Sequence, residues 1–283
     1  MCVIFDGKKA AQEIYKSIAD QLEHFENPPS LAIVKTGSSP SQTKFTNMKK
    51  RMAGRLGISC DLVEHDAGVS EKALINKIKL LSENYSGILV QLPLPDHINK
   101  FTLLNSIPYE KDVEGLGAER AGELFQKIPE VYSPVAMAVI DAIEQARDNI
   151  SVNIKGSNTV IVGNSYLVGM PVSQVLYKMG ATVTLCGSQT QNLEEYTRKA
   201  DILVSATGRK HIIKPTMLKL GCVVVDAGFD LDEKGNVFGD CDPEVEKVAS
   251  FYTPVPGGIG PLTIANIFKN LLNLCRVPIT SQE

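Results

Sequence analysis

Short apolar runs alternate along this chain with longer stretches of helical spacing, and few folds accommodate that alternation. Residues 31–34 and 88–90 form short apolar runs and 58–63 reads as a strand, each followed by turn formers or a helical segment. Around them, residues 8–25 carry Ile14, Ile18, Leu22 and Phe25 at helical spacing, 43–56 close at Gly57, and 71–84 are helical in period again. Strand, helix, strand in repetition predicts a parallel sheet with helices on its faces. A second series follows at 159–162, 181–186, 202–205 and 222–226, with a glycine loop and helix after its first run and a short helix at 193–199. This succession matches a mononucleotide-binding half of a Rossmann-type sheet. Residues 107–134, rich in glycine and charge, separate the two series and put a boundary near Ser133 and Pro134. A first strand ending at Asp6 and Gly7, a turn at 36–40, and a last helix at 262–275 after a Pro/Gly-rich hinge at 253–261 complete the pattern. The expected domains are 1–133 joined by the C-terminal segment 262–283, and 134–261.

Composition narrows the partners. The 283 residues carry a net charge of −3, which offers no basic field to nucleic acid or an anionic membrane. No apolar stretch reaches the roughly 18–20 residues that a membrane helix needs. Residues 1–9 lack the basic-then-apolar pattern of a secretory leader. The six cysteines (Cys2, Cys60, Cys186, Cys222, Cys241, Cys275) are scattered, with no CxxC pair and no Cys/His cluster at zinc spacing, so no metal is expected. Free cysteines in apolar runs point to a reduced, cytoplasmic compartment.

Four stretches carry chemistry. After Ile88, Leu89 and Val90 comes an amide, Gln91, and then Pro93 and Pro95. Proline cannot donate to a ladder, so a rigid loop here holds one amide at the carboxyl end of a strand, where open α/β sheets bind ligands. Gln91 either serves a ligand with mixed polar edges or caps the strand; the segment alone leaves both open. The second stretch is Val162-Gly-Asn-Ser-Tyr-Leu-Val-Gly-Met-Pro171. Gly163 allows a tight strand-to-helix turn, Gly169 allows close helix packing, backbone N–H groups face a phosphate, and Ser165 adds a hydroxyl donor. The following strand ends Cys186-Gly-Ser-Gln-Thr190, with no acid to grip both ribose hydroxyls and no arginine for a 2′-phosphate. Neutral Ser188 and Thr190 suit the phosphate, which leans the cofactor to NADP with NAD still open. Third, Lys44, Lys49, Lys50, Arg51 and Arg55 share one helix, where most must be solvated. Phe45 and Lys49 are four apart and share a face, either as a stacking surface with a proton donor or as core phenylalanine with surface lysine. Fourth, Tyr109-Glu-Lys-Asp-Val-Glu-Gly115 reads as an acidic turn.

Taken together, residues 87–95, Lys111-Asp-Val-Glu-Gly115, 163–171 and Thr253-Pro-Val-Pro-Gly-Gly-Ile-Gly-Pro-Leu-Thr263 resemble the bifunctional methylenetetrahydrofolate dehydrogenase/methenyltetrahydrofolate cyclohydrolase family. The similarity runs from Asp6 to the final helix. It implies two α/β domains with a cleft between them, the second a Rossmann-type parallel sheet that binds NADP, and commonly a homodimer. It implies oxidation of methylenetetrahydrofolate with NAD(P)+ and hydrolysis of methenyltetrahydrofolate to 10-formyltetrahydrofolate, a step of one-carbon metabolism that feeds purine biosynthesis. The family's catalytic lysine falls on Lys49, its amide partner on Gln91 and its pterin-recognising acid on Glu114. The folate-stacking aromatic falls on Phe45, with Leu92, Pro93, Pro256, Gly257 and Gly258 also against the substrate. Nucleotide contacts fall on Gly163, Asn164, Ser165, Val168 and Gly169, and on Ser188, Thr190 and Phe229 beyond the next strands. Lys49 is then expected to transfer protons with a pKa lowered by desolvation and by Lys50.

The chain departs from the family at several of these positions. It has Phe45 for the usual tyrosine, Glu114 for aspartate, Leu116-Gly-Ala118 for Phe-His-Pro, Tyr132-Ser-Pro134 for Cys-Thr-Pro, and Gly187 for a histidine. The alternative functions are a low-activity pterin- or nucleotide-binding paralogue and another Rossmann oxidoreductase, such as an amino-acid dehydrogenase.

Overall fold

The computed structural model describes residues 2–37, 40–231 and 235–276. Ser38 and Ser39 of the expected turn, and 277–283 of the expected C-terminal segment, lie outside the described residues. The first elements are β1 (Val3–Ile4), α1 (Gly7–Leu22), β2 (Ser30–Thr36), α2 (Pro40–Leu56), β3 (Ser59–His65), α3 (Glu71–Ser82), β4 (Gly87–Gln91), α4 (Lys100–Leu104) and α5 (Ala118–Gln126). They are followed by α6 (Pro134–Ile150), β5 (Asn158–Val162), α7 (Gly169–Lys178), β6 (Thr182–Cys186), α8 (Leu193–Thr197), β7 (Ile202–Ser205) and β8 (Val223–Asp226). The short strands β9 (Asp230–Leu231), β10 (Val237–Phe238) and β11 (Phe251–Thr253) and the helix α9 (Ile259–Arg276) end the series.

Contacts divide the chain into two units. A six-stranded unit comprises Met1–Gln12, Leu124–Ile128 and Ser133–Asn266; a three-stranded unit comprises Glu13–Glu123, Pro129–Tyr132 and Ile267–Glu283. The sequence assigns the first strand to the first domain, but β1 pairs with β11 in the six-stranded sheet, Val3 opposite Phe251. Two residues carry no periodicity that would choose a sheet. The Phe5 ring, 5.7 Å from that of Phe251, adds the contact that does. Likewise α9 does not change unit at 262: it belongs to the six-stranded unit through Asn266 and to the other from Ile267. The helix α6 is absent from the sequence reading, which treats Ser133 and Pro134 as a domain boundary. They are a helix start: the Ser133 hydroxyl accepts from the Ala136 N–H at 3.4 Å, and Pro134 takes the first turn, where its missing N–H costs nothing.

In the three-stranded unit the order is β3-β2-β4, all parallel. The chain leaves the central β2 first to one side and then to the other, so the carboxyl ends of β2 and β4 flank a topological switch point. Every residue of β4 is buried, as are Leu31 to Thr36 of β2. Both strands are covered on both faces, which is why they read as unbroken apolar runs. Leu74 and Ile78 of α3 pack in the same core as Leu31, Ile33, Ile88 and Leu89. The helix itself is started by Ser70, whose side chain accepts from the Ala73 N–H.

The six-stranded sheet has the order β1-β11-β8-β7-β5-β6 and is parallel throughout. Its switch point lies at β5, whose carboxyl end carries the Gly163 turn. Val160, Val162, Leu203, Val224 and Tyr252 are among the residues of its core.

Close packing fixes one glycine of the smaller sheet. A Cβ on Gly87 would run into Val113 Cγ1 and Leu271 Cδ1. Gly87→Ala is expected to lower stability by about 1–3 kcal/mol, the usual cost of overpacking, read as a lower denaturant midpoint with an unchanged far-ultraviolet circular dichroism spectrum.

Candidate active site

Gln91 ends β4, and its side chain is committed to two partners. Its Oε1 accepts a hydrogen bond from Lys49 Nζ at 2.9 Å, and its Nε2 donates to the Leu92 carbonyl at 2.9 Å. The protonated ammonium has no acceptor, so in that state the amide oxygen faces the lysine. The Leu92–Pro93 peptide is cis, and the Pro93 carbonyl accepts from Gln42 Nε2 at 2.6 Å. Helix α2 therefore anchors both the amide and the loop beyond it.

The stripe of α2 facing the sheet runs Gln42, Thr46, Lys49, Ala53, all buried, at the spacing of one helical face. Lys44, Lys50, Arg51 and Arg55 are exposed, as a solvated charge run should be. Phe45 is half-buried while Lys49 is only 5% exposed, so the pairing of core phenylalanine with surface lysine is reversed.

Glu114 joins this pair, its Oε1 lying 4.0 Å from Lys49 Nζ with the side chain 19% exposed. Its loop is more than an acidic turn. Asp112 is buried, bridges to Ile88 beside β4, and accepts the Gly117 N–H on Oδ2 at 2.8 Å. Gly115 adopts φ +60, and a Cβ there would meet Tyr132 Cα at 2.7 Å. Asn270 of α9 donates to the carbonyls of Val113 (2.9 Å) and Tyr132 (2.8 Å), tying down both sides. Gln42, Asp112 and Asn270 were missed in the sequence; each acts across 40 or more residues or through backbone atoms, except that Asp112 stood inside the quoted Lys111–Gly115 motif.

Burial dominates the electrostatics. Desolvation pushes the Lys49 ammonium below its usual range, opposed by the charges of Glu114 and Cys60. Lys50, expected to help depress it, is exposed and has no part in the shift. Burial pushes Glu114 up to about 7, with Lys49 holding it down and Asp112 adding to the rise. Burial thus moves the amine and the carboxyl toward each other in proton affinity, the direction acid–base chemistry needs, and Gln91 keeps the amine aimed.

The six-stranded unit builds a different site at the end of β5. Gly163 takes φ +111, and a Cβ on it would strike the Ala206 carbonyl; a Cβ on Gly169 would strike the Gly163 carbonyl. The start of α7 is thereby pressed onto the turn, the close approach that a pyrophosphate cradle requires. Ser165 Oγ accepts from the Val168 N–H at 3.2 Å, which leaves its own proton to donate. The exposed Asn164 lies over Gly187, where a Cβ would come within 2.9 Å of Asn164 Nδ2. Thr190 Oγ1 accepts the Gly187 N–H at 2.9 Å, Ser188 is exposed, and Phe229 stands 37% exposed beyond β8. Pro256, Gly257 and Gly258 belong to this six-stranded unit; the Gly257 carbonyl accepts the Gly7 N–H at 3.0 Å and the Val255–Pro256 peptide is cis.

A parallel sheet with a glycine turn at a strand exit, and a second α/β unit holding a buried lysine and amide with a carboxyl beside them, define a class: two-unit α/β proteins with a nucleotide-type turn in one unit and an acid–base group in the other. Residues 5–114 match the model of the tetrahydrofolate dehydrogenase/cyclohydrolase catalytic domain, and 134–278 that of its NAD(P)-binding domain. The bifunctional protein FolD of Brevibacillus brevis is 40% identical over 273 residues, covering 94% of this chain and 95% of that one. Among solved structures, the bifunctional FolD methylenetetrahydrofolate dehydrogenase/cyclohydrolase of Campylobacter jejuni superposes with a TM-score of 0.91 at 31% identity, covering 97% and 98% of the two chains. The Trypanosoma brucei enzyme, complexed with NADP and an inhibitor, gives 0.90 at 31% identity, covering 96% and 97%. The chain belongs to the tetrahydrofolate dehydrogenase/cyclohydrolase family.

The raised Glu114 carboxyl has a signed consequence. Its folded value of about 7 exceeds the ordinary 4.5, so the folded state binds the extra proton and stability contributed by this group falls as pH rises between the two. Glu114→Gln removes that fall. Denaturant titrations at pH 5 and pH 8 should find the variant gaining on the parent protein at the higher pH.

Proposed function

We propose that this chain carries out both reactions of its family with Lys49 as the proton carrier, and the observation that carries the proposal is the buried Lys49–Gln91 pair with the half-buried Glu114 carboxyl beside it. It oxidises methylenetetrahydrofolate to methenyltetrahydrofolate with NAD(P)+ and hydrolyses the product to 10-formyltetrahydrofolate. In hydrolysis a water must lose a proton as it adds to the methenyl carbon, and a lysine whose proton affinity is lowered by burial is the better suited to take it. Gln91 holds the amine in one direction. Glu114 receives the pterin's N–H donors, and two such bonds would favour its charged form over the neutral one that burial favours. Phe45 offers a flat ring on the same helical face, and Leu92 and Pro93 follow Gln91 in the loop after β4.

For the nucleotide we propose NADP, with NAD as the alternative. The glycine cradle at Gly163 and Gly169 and the free proton of Ser165 support a bound pyrophosphate. The relative from Trypanosoma brucei crystallised with NADP supports the choice of dinucleotide. When bound, NAD(P)+ supplies the hydride acceptor. Asn164, Ser188 and Thr190 would surround the adenosine end, and Phe229 would lie near the other.

We further propose a homodimer in a reducing cytoplasm. The edge strand β6, with Val183, Thr184 and Leu185 only partly covered, supports a partner copy. The free state of all six cysteines supports the compartment, and among the described residues no helix is long and apolar enough to cross a membrane.

Absorbance of the reduced nicotinamide and of methenyltetrahydrofolate separates the two activities and an inert binder in one assay. Lys49→Met is expected to slow hydrolysis of methenyltetrahydrofolate by about 100-fold or more. Undiminished hydrolysis in that variant would remove Lys49 from the mechanism. The parent protein should reduce NADP+ in the same assay, and turnover with NAD+ alone would reverse the choice of nucleotide.

A further inference from the structure

Two carboxylates that the reaction does not use, Asp226 and Asp240, are fully buried in the six-stranded unit. Neutral donors hold both. Asp226 Oδ1 accepts the N–H of Gly228 (2.9 Å) and of Asp240 (3.1 Å), and its Oδ2 accepts that of Cys241 (2.8 Å). Asp240 Oδ2 accepts the Ser205 hydroxyl (2.7 Å) and the Thr207 N–H (2.6 Å), and its Oδ1 accepts the Arg209 N–H (3.0 Å). Each carboxylate also occupies the space over a glycine of the other's segment: a Cβ on Gly228 would run into Asp240, and one on Gly239 into Asp226. The two segments are cross-braced.

Burying two carboxylates side by side is an expensive way to join loops. Desolvation pushes Asp226 up to about 6 despite three N–H donors, and the neighbouring Asp240 adds to the rise. What the brace holds explains its place. Ser205 to Arg209 is the exit of β7, and Asp226 to Phe229 the exit of β8. The Ala227 N–H donates to the Ser205 carbonyl at 2.8 Å, and the Ala206 N–H to the Val162 carbonyl at 2.8 Å. The Ala206 carbonyl is the atom that a side chain on Gly163 would strike. The carboxyl ends of β5, β7 and β8, the edge at which such sheets bind dinucleotides, are thus tied by backbone bonds, and Asp240 adds the side-chain brace that holds the β7 exit to Asp226 of the β8 exit.

We propose that Asp240 is a positioning residue for the dinucleotide: it sets the height of the β7 exit against the Gly163 turn and acts through backbone, without touching the ligand. The proposal rests on the reading of this unit as the NAD(P) site. Asp240→Asn keeps the shape over Gly228 but turns one acceptor oxygen into an amide that faces N–H and O–H donors. In the full-length enzyme this variant should raise the KM for NADP+ at least tenfold, with dehydrogenase kcat at saturating NADP+ within threefold of the parent. Hydrolysis of methenyltetrahydrofolate, which needs no dinucleotide, should be unchanged. Ser205→Ala, which removes one of the three bonds to Asp240, should move KM in the same direction by less, and it serves if Asp240→Asn does not fold.

Calorimetric titration of NADP+ into the parent and both variants completes the test. An unchanged KM and affinity in the folded variants would overturn the role of Asp240. So would a parallel loss of both activities at constant KM, which is the mark of general destabilisation. A parent protein that binds neither NADP+ nor NAD+ would instead overturn the reading of the site, and the positioning role with it.

Discussion

A lysine side chain buried beneath the end of a β-strand is unstable unless something accepts its protons, and much of the three-stranded unit serves that need. Lys49 donates to Gln91 at 2.9 Å and has the Glu114 carboxyl at 4.0 Å. Taking an ammonium out of water costs several kcal/mol even after relaxation. The amide and the carboxyl offset part of that cost, and the remainder is visible as the lowered proton affinity of the amine. The parts around the pair are arranged accordingly. Gln42 holds the loop after β4, Asp112 and Asn270 hold the loop that carries Glu114, and the tight fit of Gly87 against Val113 brings that loop against the sheet.

The six-stranded unit solves a different problem with the same economy of polar groups. A phosphate cradle needs bare backbone, so glycine at 163 and 169 lets helix, strand exit and turn approach within contact. Bare backbone positions nothing by itself. The exits of β7 and β8 are braced from below by Asp226 and Asp240, whose oxygens take six hydrogen-bond donors between them. Each unit therefore holds carboxylates out of bulk water, Glu114 near the Lys49 amine and Asp226 and Asp240 beneath the strand exits, and desolvation raises the proton affinity of Glu114 and Asp226 alike.

Several features were legible residue by residue. The runs at 31–34, 88–90 and 159–162 became β2, β4 and β5, since strands covered on both faces cannot alternate. The Gly163 turn was readable because only glycine tolerates its geometry. Other features left no local trace. Ser133 and Pro134 looked like a linker and begin a 17-residue helix, because a cap and a boundary use the same residues. Among five basic residues on α2, helical spacing paired Lys49 with Phe45 but left it open between proton donor and surface lysine; the role itself came only from resemblance to a family.

By itself the sequence determined the two series of parallel strands, the glycine turn and the amide at the end of β4, because each depends on backbone preferences and periodicity within a few residues. Tertiary structure alone decided that Lys49 is the buried one among the basic residues of α2, that Glu114 stands beside it, that β1 joins the larger sheet, and that Asp240 braces the β7 exit. These depend on which distant side chains share a low-dielectric space. Proton affinity and the cost of an unpaired charge are properties of that space, not of any stretch of chain.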